Sequence, residues 1–197
     1  MRENGGHAST RAENAAMKTT AGSVRIIGGH WRGTKLPVPD VEGLRPSADR
    51  VRETVFNWLQ PVLPGSRVLD LFAGSGAFAL EALSRGAAEA HLVERDPRAC
   101  ESLRASVARL QAGDKAHVHQ ADALAWLRAP MHGRFDIVFV DPPFAAGLWD
   151  DVLASLDPWL ERDAWLYLES PASGPATPGA SGWTLHRDGR TREARYA

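Results

Sequence analysis

Two stretches of this chain have residue types and spacing that could do chemistry: Asp70-Leu-Phe-Ala-Gly-Ser-Gly76 and Asp141-Pro-Pro-Phe144. In the first, an apolar run (Val68, Leu69, Leu71) ends in Gly74-Ser75-Gly76 and leads into a helix-forming segment, Ala77 to Leu83. Glycines permit positive φ and let a ligand approach the backbone, while a helix start offers unpaired N–H groups and a partial positive charge. Strand, glycine turn and helix start in that order predict a loop that holds a nucleotide-like ligand. Gly74-x-Gly76-x-x-Ala79 also fits the dinucleotide fingerprint, so the glycines alone do not separate NAD from S-adenosylmethionine. Asp70 tilts the choice. A carboxylate just ahead of the glycines repels a pyrophosphate and suits the cationic amino acid end of S-adenosylmethionine.

A ribose-binding acid is expected at the end of the next strand, roughly 20 residues after the glycine turn, and His91-Leu-Val-Glu94 supplies Glu94. Asp96 precedes Pro97 and a helical run, which makes it an N-cap with proline at N1 rather than a ligand. Asp122 follows a short strand, Ala116 to Gln120. It could meet an adenine amino group or cap the segment Ala123 to Arg128, and one side chain could do both.

The second motif suits methyl transfer to nitrogen. Phe135-Asp-Ile-Val-Phe-Val-Asp141 has the apolar character of a buried strand, and its C-terminal end delivers Asp-Pro-Pro-Phe where α/β sheets bind ligands. An exocyclic amino group on a base is a poor nucleophile because its lone pair is delocalised into the ring. A carboxylate (Asp141) and a rigid carbonyl (Pro142) accepting its two hydrogens would localise that lone pair. Pro142 and Pro143 lack N–H donors and fix φ, and Phe144 could stack on a flipped or unpaired base.

The elements that must position these motifs follow from periodicity. From Arg67 onward, strands at Val68–Leu71, His91–Glu94, Ala116–Gln120, Phe135–Val140 and Ala164–Glu169 alternate with helical stretches, including Arg98–Leu110 with Cys100 on it, which predicts a doubly wound, mainly parallel sheet. Asp188-Gly189 is a two-residue hairpin signal within Trp183–Tyr196, so an antiparallel pair should close the sheet edge. Pro171–Gly182 reads as a loop. Before the sheet, Val24–Ile27 and Trp31–Val38 flank Gly28-Gly29 and suggest a small hairpin. A helix over Ala48–Leu59 should follow, with Ser47 at its start, Val51, Val55, Trp58 and Leu59 on one face, Arg50 and Arg52 nearer the polar side, and Pro61 as its stop.

The 197 residues, 44% hydrophobic, suffice for one α/β domain. A net charge of -1 requires any nucleic-acid contact to be local. Between Arg25 and Arg52 six basic residues (Arg25, Arg32, Lys35, Arg45, Arg50, Arg52) face three acidic ones (Asp40, Glu42, Asp49), with His30 and Trp31 among them. The single cysteine, Cys100, has no disulfide partner and reads as a structural thiol, and the seven histidines show no metal-ligand spacing. No run approaches the roughly 18 apolar residues of a membrane helix, so a cytoplasmic, monomeric enzyme that needs no metal is the simplest expectation. Residues 1–22 lack an apolar signal core and read as a disordered extension, leaving residues 23–197 as one domain.

Two further stretches, Arg25-Ile-Ile-Gly-Gly-His-Trp-Arg-Gly-Thr-Lys35 and Arg45-Pro-Ser-Ala-Asp-Arg-Val-Arg-Glu-Thr-Val-Phe-Asn57, join the two motifs in a closer match. Over roughly residues 24–170 the chain resembles the RsmD-type family of bacterial methyltransferases, with Ser47 where the family usually has threonine. The resemblance implies methylation of a guanine N2 amino group in small-subunit (16S) ribosomal RNA, with S-adenosylmethionine as donor, on a seven-stranded Rossmann-like methyltransferase sheet. It places Asp70, Gly74, Gly76, Glu94 and Asp122, with their neighbours Phe72, Ala73, Arg95 and Ala123, on cofactor positions. Asp141, Pro142, Pro143 and Phe144 fall on the catalytic motif, and the Arg45–Arg52 segment lies beside cofactor and RNA. It also suggests a partly or fully assembled small ribosomal subunit as the partner. Two other readings of the residues stay open: an adenine-N6 methyltransferase acting on DNA or RNA, and a non-catalytic RNA-binding module.

Overall fold

The computed structural model describes residues 22–38, 49–130, 133–173 and 182–197. Residues 1–21 of the expected extension, Arg45, Ser47 and residues 174–181 of the expected loop therefore lie outside the described residues. A hairpin of β1 (Ser23–Arg25) and β2 (Lys35–Pro37) precedes α1 (Asp49–Leu59). The remaining elements are β3 (Arg67–Asp70), α2 (Ala77–Ser84), β4 (Glu89–Glu94), α3 (Pro97–Arg109), β5 (Ala116–Gln120), α4 (Ala123–Leu127), β6 (Phe135–Val140), α5 (Trp149–Leu156), β7 (Leu160–Pro171), β8 (Gly189–Arg190) and β9 (Ala194–Tyr196).

The main sheet has seven strands in the order β5-β4-β3-β6-β7-β9-β8. β3 to β7 pair in parallel, whereas β8 and β9 add an antiparallel edge. Helices cover both faces, so the central strands are buried on each side and read as near-continuous apolar runs. Phe56 of α1, Phe78 and Leu80 of α2 and Leu103 of α3 pack on one face with Ile137 and Phe139. Trp126 and Leu127 of α4 and Val152 and Leu156 of α5 pack on the other with Leu69, Val138 and Val140. The chain reverses its direction of travel between β3 and β6. Their neighbouring C-terminal ends, with Asp70 opposite Phe139, form the crevice in which ligands bind such sheets.

Three local expectations need correction. The first is Arg52, which lies on the buried side of α1, 0% exposed, because its guanidinium donates to the Arg25 carbonyl at 2.7 Å and to Asp49 at 2.8 Å. The second concerns the C-terminal turn. Gly189 lies within β8, where an added Cβ would fall 2.3 Å from the Tyr196 ring. The chain reverses at Thr191–Glu193, where the Thr191 hydroxyl accepts from the Ala194 amide at 2.9 Å. The third is β7, which runs longer than Ala164–Glu169 and carries a register irregularity against β6. Trp58 packs against the same core as Val51, Val55 and Leu59, as expected, half-buried and stacked on Tyr196 at 5.7 Å, and Phe56 joins that face fully buried.

α2 fixes the hairpin. The buried Glu81 carboxylate accepts from the Ile27 and Gly28 amides at 2.6 and 2.7 Å and from Arg85 Nε at 2.7 Å. The Ser84 hydroxyl accepts from the Trp31 amide at 2.9 Å and donates to the Gly28 carbonyl at 2.6 Å. Gly29, at φ +75°, passes so close that a Cβ would sit 1.9 Å from the Ser84 carbonyl oxygen. The helix that begins at the glycine turn thus carries the basic hairpin at its other end.

Candidate active site

The loop after β3 departs from regular backbone where the glycines fall. Gly74 and Gly76 have φ of 51° and 77°, conformations that cost other residues strain. Gly76 is also packed closely, since a Cβ there would meet Leu103 at 2.7 Å. The Gly76 amide closes the turn on the Ala73 carbonyl at 2.6 Å, and the Ala73 amide bonds the Val93 carbonyl at 3.0 Å. Phe72 is half-buried and Ala73 buried beside it.

Asp70 lies under this loop, 3% exposed, and accepts from the Phe72 and Ala79 backbone amides. Burial pushes its pKa up to about 7 against the opposing pull of those two hydrogen bonds, and the Glu94 charge adds to the rise. The carboxyl is thus used to hold the loop to the start of α2 rather than standing free in the crevice. Glu94 ends β4 and joins two loops: one oxygen accepts from the Gly74 amide at 3.0 Å, the other from the Asp96 amide at 2.7 Å. Asp96 caps α3 through the Arg98 and Ala99 amides, with Pro97 at N1. Cys100 is buried in the same helix and donates to the Glu94 carbonyl at 3.2 Å.

Asp122 follows β5, whose Gln120 pairs with Glu94, so the two acids stand at neighbouring strand ends. It is exposed and caps α4 by accepting from the Ala125 amide at 3.0 Å. Arg95 is exposed and Ala123 buried. Glu94 and Asp122 make this end of the crevice acidic. That donor set fits a ligand with ribose hydroxyls and positive charge, and disfavours a pyrophosphate.

β6 delivers Asp141 beside the glycine loop. Asp141 and Pro143 are half-buried, Pro142 is buried, and a single 3-10 turn over Phe144–Ala146 is closed by the Ala146 amide on the Pro143 carbonyl at 2.8 Å. Phe144 is half-buried, 6.1 Å from Trp149 between ring centres.

Sequence reasoning missed Tyr167 and Glu169. Because Val140 pairs with Leu168, Glu169 follows in register beside Asp141, and the buried Tyr167 hydroxyl donates to its carboxylate at 2.6 Å. Burial raises the Glu169 pKa, opposed by that bond, and raises that of Tyr167 further with the charges of Glu169 and Asp141. The alternation Trp165-Leu-Tyr-Leu-Glu169 was the available signal, but without the β6–β7 register nothing marked it as part of the site. Of the basic residues, Arg25, His30, Arg32, Lys35 and Arg50 are exposed, while Arg52 is withdrawn into the core.

A glycine loop and an Asp-Pro-Pro-Phe motif meeting at the reversal point of this sheet define the α/β methyltransferase class. The solved structure of the Escherichia coli yhhF protein matches with a TM-score of 0.78 at 46% identity, covering 89% of this chain and 96% of that one. The family described as Conserved hypothetical protein 95 matches residues 24–197. Ribosomal RNA small subunit methyltransferase D of Escherichia coli K12 is 48% identical over 170 residues, 85% of each chain. Its Haemophilus influenzae namesake is 41% identical over 180 residues, 89% of this chain and 92% of that protein. The chain belongs to this RsmD-type methyltransferase family.

Proposed function

We propose that this chain transfers a methyl group from S-adenosylmethionine to the exocyclic N2 of a guanine in 16S ribosomal RNA of the small subunit, in the cytoplasm. The observation that carries the reading is the convergence of the Gly74–Gly76 loop and Glu94 with Asp141-Pro-Pro-Phe144 at adjoining strand ends. It is joined by kinship to proteins named ribosomal RNA small subunit methyltransferase D.

When bound, S-adenosylmethionine supplies a methyl group already activated by sulfonium charge, so positioning dominates over acid–base work. Glu94 and Asp122 hold the donor's hydroxyl and amino groups, and the glycines let its amino acid end approach the backbone. Asp141 and the Pro142 carbonyl accept the two hydrogens of the guanine amino group, which turns its lone pair towards the methyl carbon. The methyl group would pass to nitrogen as its bond to sulfur breaks, leaving neutral S-adenosylhomocysteine, and Asp141 would take the proton that the amino group then loses. Phe144 stacks on the base. The exposed Arg25, His30, Arg32, Lys35 and Arg50 contact RNA phosphates, with Arg45 of the neighbouring segment.

Incubation with methyl-labelled donor and small subunits lacking the modification, followed by nucleoside mass spectrometry, tests the reading. N2-methylguanosine is expected. N6-methyladenosine would transfer the reading to adenine, and RNA binding without any label would make the chain a binding module.

A further inference from the structure

β4 and β5 pair in parallel with His91 opposite His117 and Val93 opposite His119, so Glu89, His91, His117 and His119 gather on one face. Glu89 Oε1 lies 3.0 Å from His91 Nε2 and 2.9 Å from His117 Nε2, and these three atoms all lie within 4.8 Å of one another. We propose that Glu89, His91 and His117 form a binding site for a divalent transition-metal ion, zinc foremost, separate from the cofactor crevice.

The donors suit zinc, which takes imidazole nitrogen and carboxylate oxygen at about 2.0–2.2 Å in tetrahedral geometry, with ligand atoms then about 3.4 Å apart. To admit the ion, the Glu89 oxygen must withdraw by roughly half an ångström, and the two imidazole nitrogens, within 4.8 Å of one another, must settle at that same spacing by small turns about their side-chain torsions. His117, 39% exposed at its side chain, leaves an open side for water as the fourth ligand.

Outer partners are already in place. His119 Nε2 lies 3.0 Å from His91 Nδ1, and Arg67 Nε donates to the second Glu89 oxygen at 2.8 Å. Such contacts fix the tautomer and orientation of metal ligands. Trp126 and Phe135 wall the site, with ring centres 6.4 and 5.1 Å from His91. A neutral ring that binds through Nε2 moves its N–H to Nδ1, which for His91 faces His119. A protonated ring releases its proton, so affinity falls in acid.

Glu89 begins the strand that Glu94 ends, which separates the two sites by roughly 16 Å. An ion there would clamp the edge strand β5 to β4 and, through Arg67, to β3.

The experiment uses the full chain, free of any affinity tag and stripped with chelator. Zinc is titrated by calorimetry and cobalt followed by visible absorption. Saturable binding of a single equivalent, an intense tetrahedral cobalt spectrum and a raised melting temperature with zinc are expected. His117→Ala and Glu89→Gln should weaken zinc binding at least tenfold and His119→Ala about tenfold, each with unchanged S-adenosylmethionine affinity. Absence of saturable binding by the wild type, or wild-type affinity in folded His117→Ala protein, would overturn the proposal. If the variants fail to fold, a weak octahedral cobalt spectrum from the wild type would overturn it equally.

Discussion

On the proposed function individual side chains divide the work at the site, and substitutions should separate their roles. Asp141→Ala should lower methyl transfer by about two to three orders of magnitude while donor affinity, measured by calorimetry, stays within a few-fold of wild type. Glu94→Ala should instead weaken donor binding about 10- to 100-fold, the loss of charge-assisted hydrogen bonds worth about 1.5–3 kcal/mol. An unchanged affinity would remove Glu94 from the pocket. Asp70 makes a pH prediction. Its pKa of about 7 in the folded state exceeds the unfolded value of about 3.9, so below pH 4 or so it is protonated in both states and contributes no pH dependence. As pH rises from there, the folded protein keeps a proton that the unfolded chain has released. Stability falls by up to about 4 kcal/mol by pH 7 and then levels off. Urea unfolding between pH 5 and 8 should show this slope in wild type and its loss in Asp70→Asn. At this scale the sequence offered candidates, with Asp70, Glu94 and Asp141 marked out by type and spacing. Their partners were not, because a carboxylate under a glycine loop and one facing a ligand have the same sequence neighbours.

At the scale of elements, α2 is the joint between glycine loop and basic hairpin. Glu81 and Ser84 side chains bonded to hairpin amides, with the close approach of Gly29, form that joint across more than fifty residues of sequence. Gly29→Ala forces a Cβ into the Ser84 carbonyl and a strained φ, so it should cost about 1–3 kcal/mol and release the hairpin. Hydrogen exchange should quicken across Ile26–Thr34 while α3 and β6 stay protected. Labelling of subunits should fall with donor affinity retained. The strands and helices of the sheet were largely legible because each repeats a clear period, apolar runs for buried parallel strands and amphipathic spacing for α1 and α3. The misplaced turn at Asp188-Gly189 shows the limit of a local signal. Glycine is needed there to make room for Tyr196, a reason that exists only once β8 and β9 are paired.

For the whole molecule, an overall charge of -1 requires any attraction to RNA to come from a local patch, for which the exposed basic residues of the N-terminal region are the proposed candidate. Reversing Arg32 and Lys35 together to glutamate should weaken subunit binding by about tenfold or more at physiological salt and lower the salt slope by about 2. Donor affinity should not change, and filter binding across a salt series would show it. By itself the sequence determined the reaction class, the parallel sheet and the order of the motifs along it, because glycine turns, apolar runs and Asp-Pro-Pro-Phe depend on neighbours a few residues away. Tertiary structure alone decided which polar groups face inward and which distant ones meet. It withdrew Arg52 into the core, set Glu89 against His91 and His117 across two strands, and placed Tyr167 and Glu169 beside Asp141. Each outcome follows from strand register and helix docking, which bring together residues that no spacing along the chain connects.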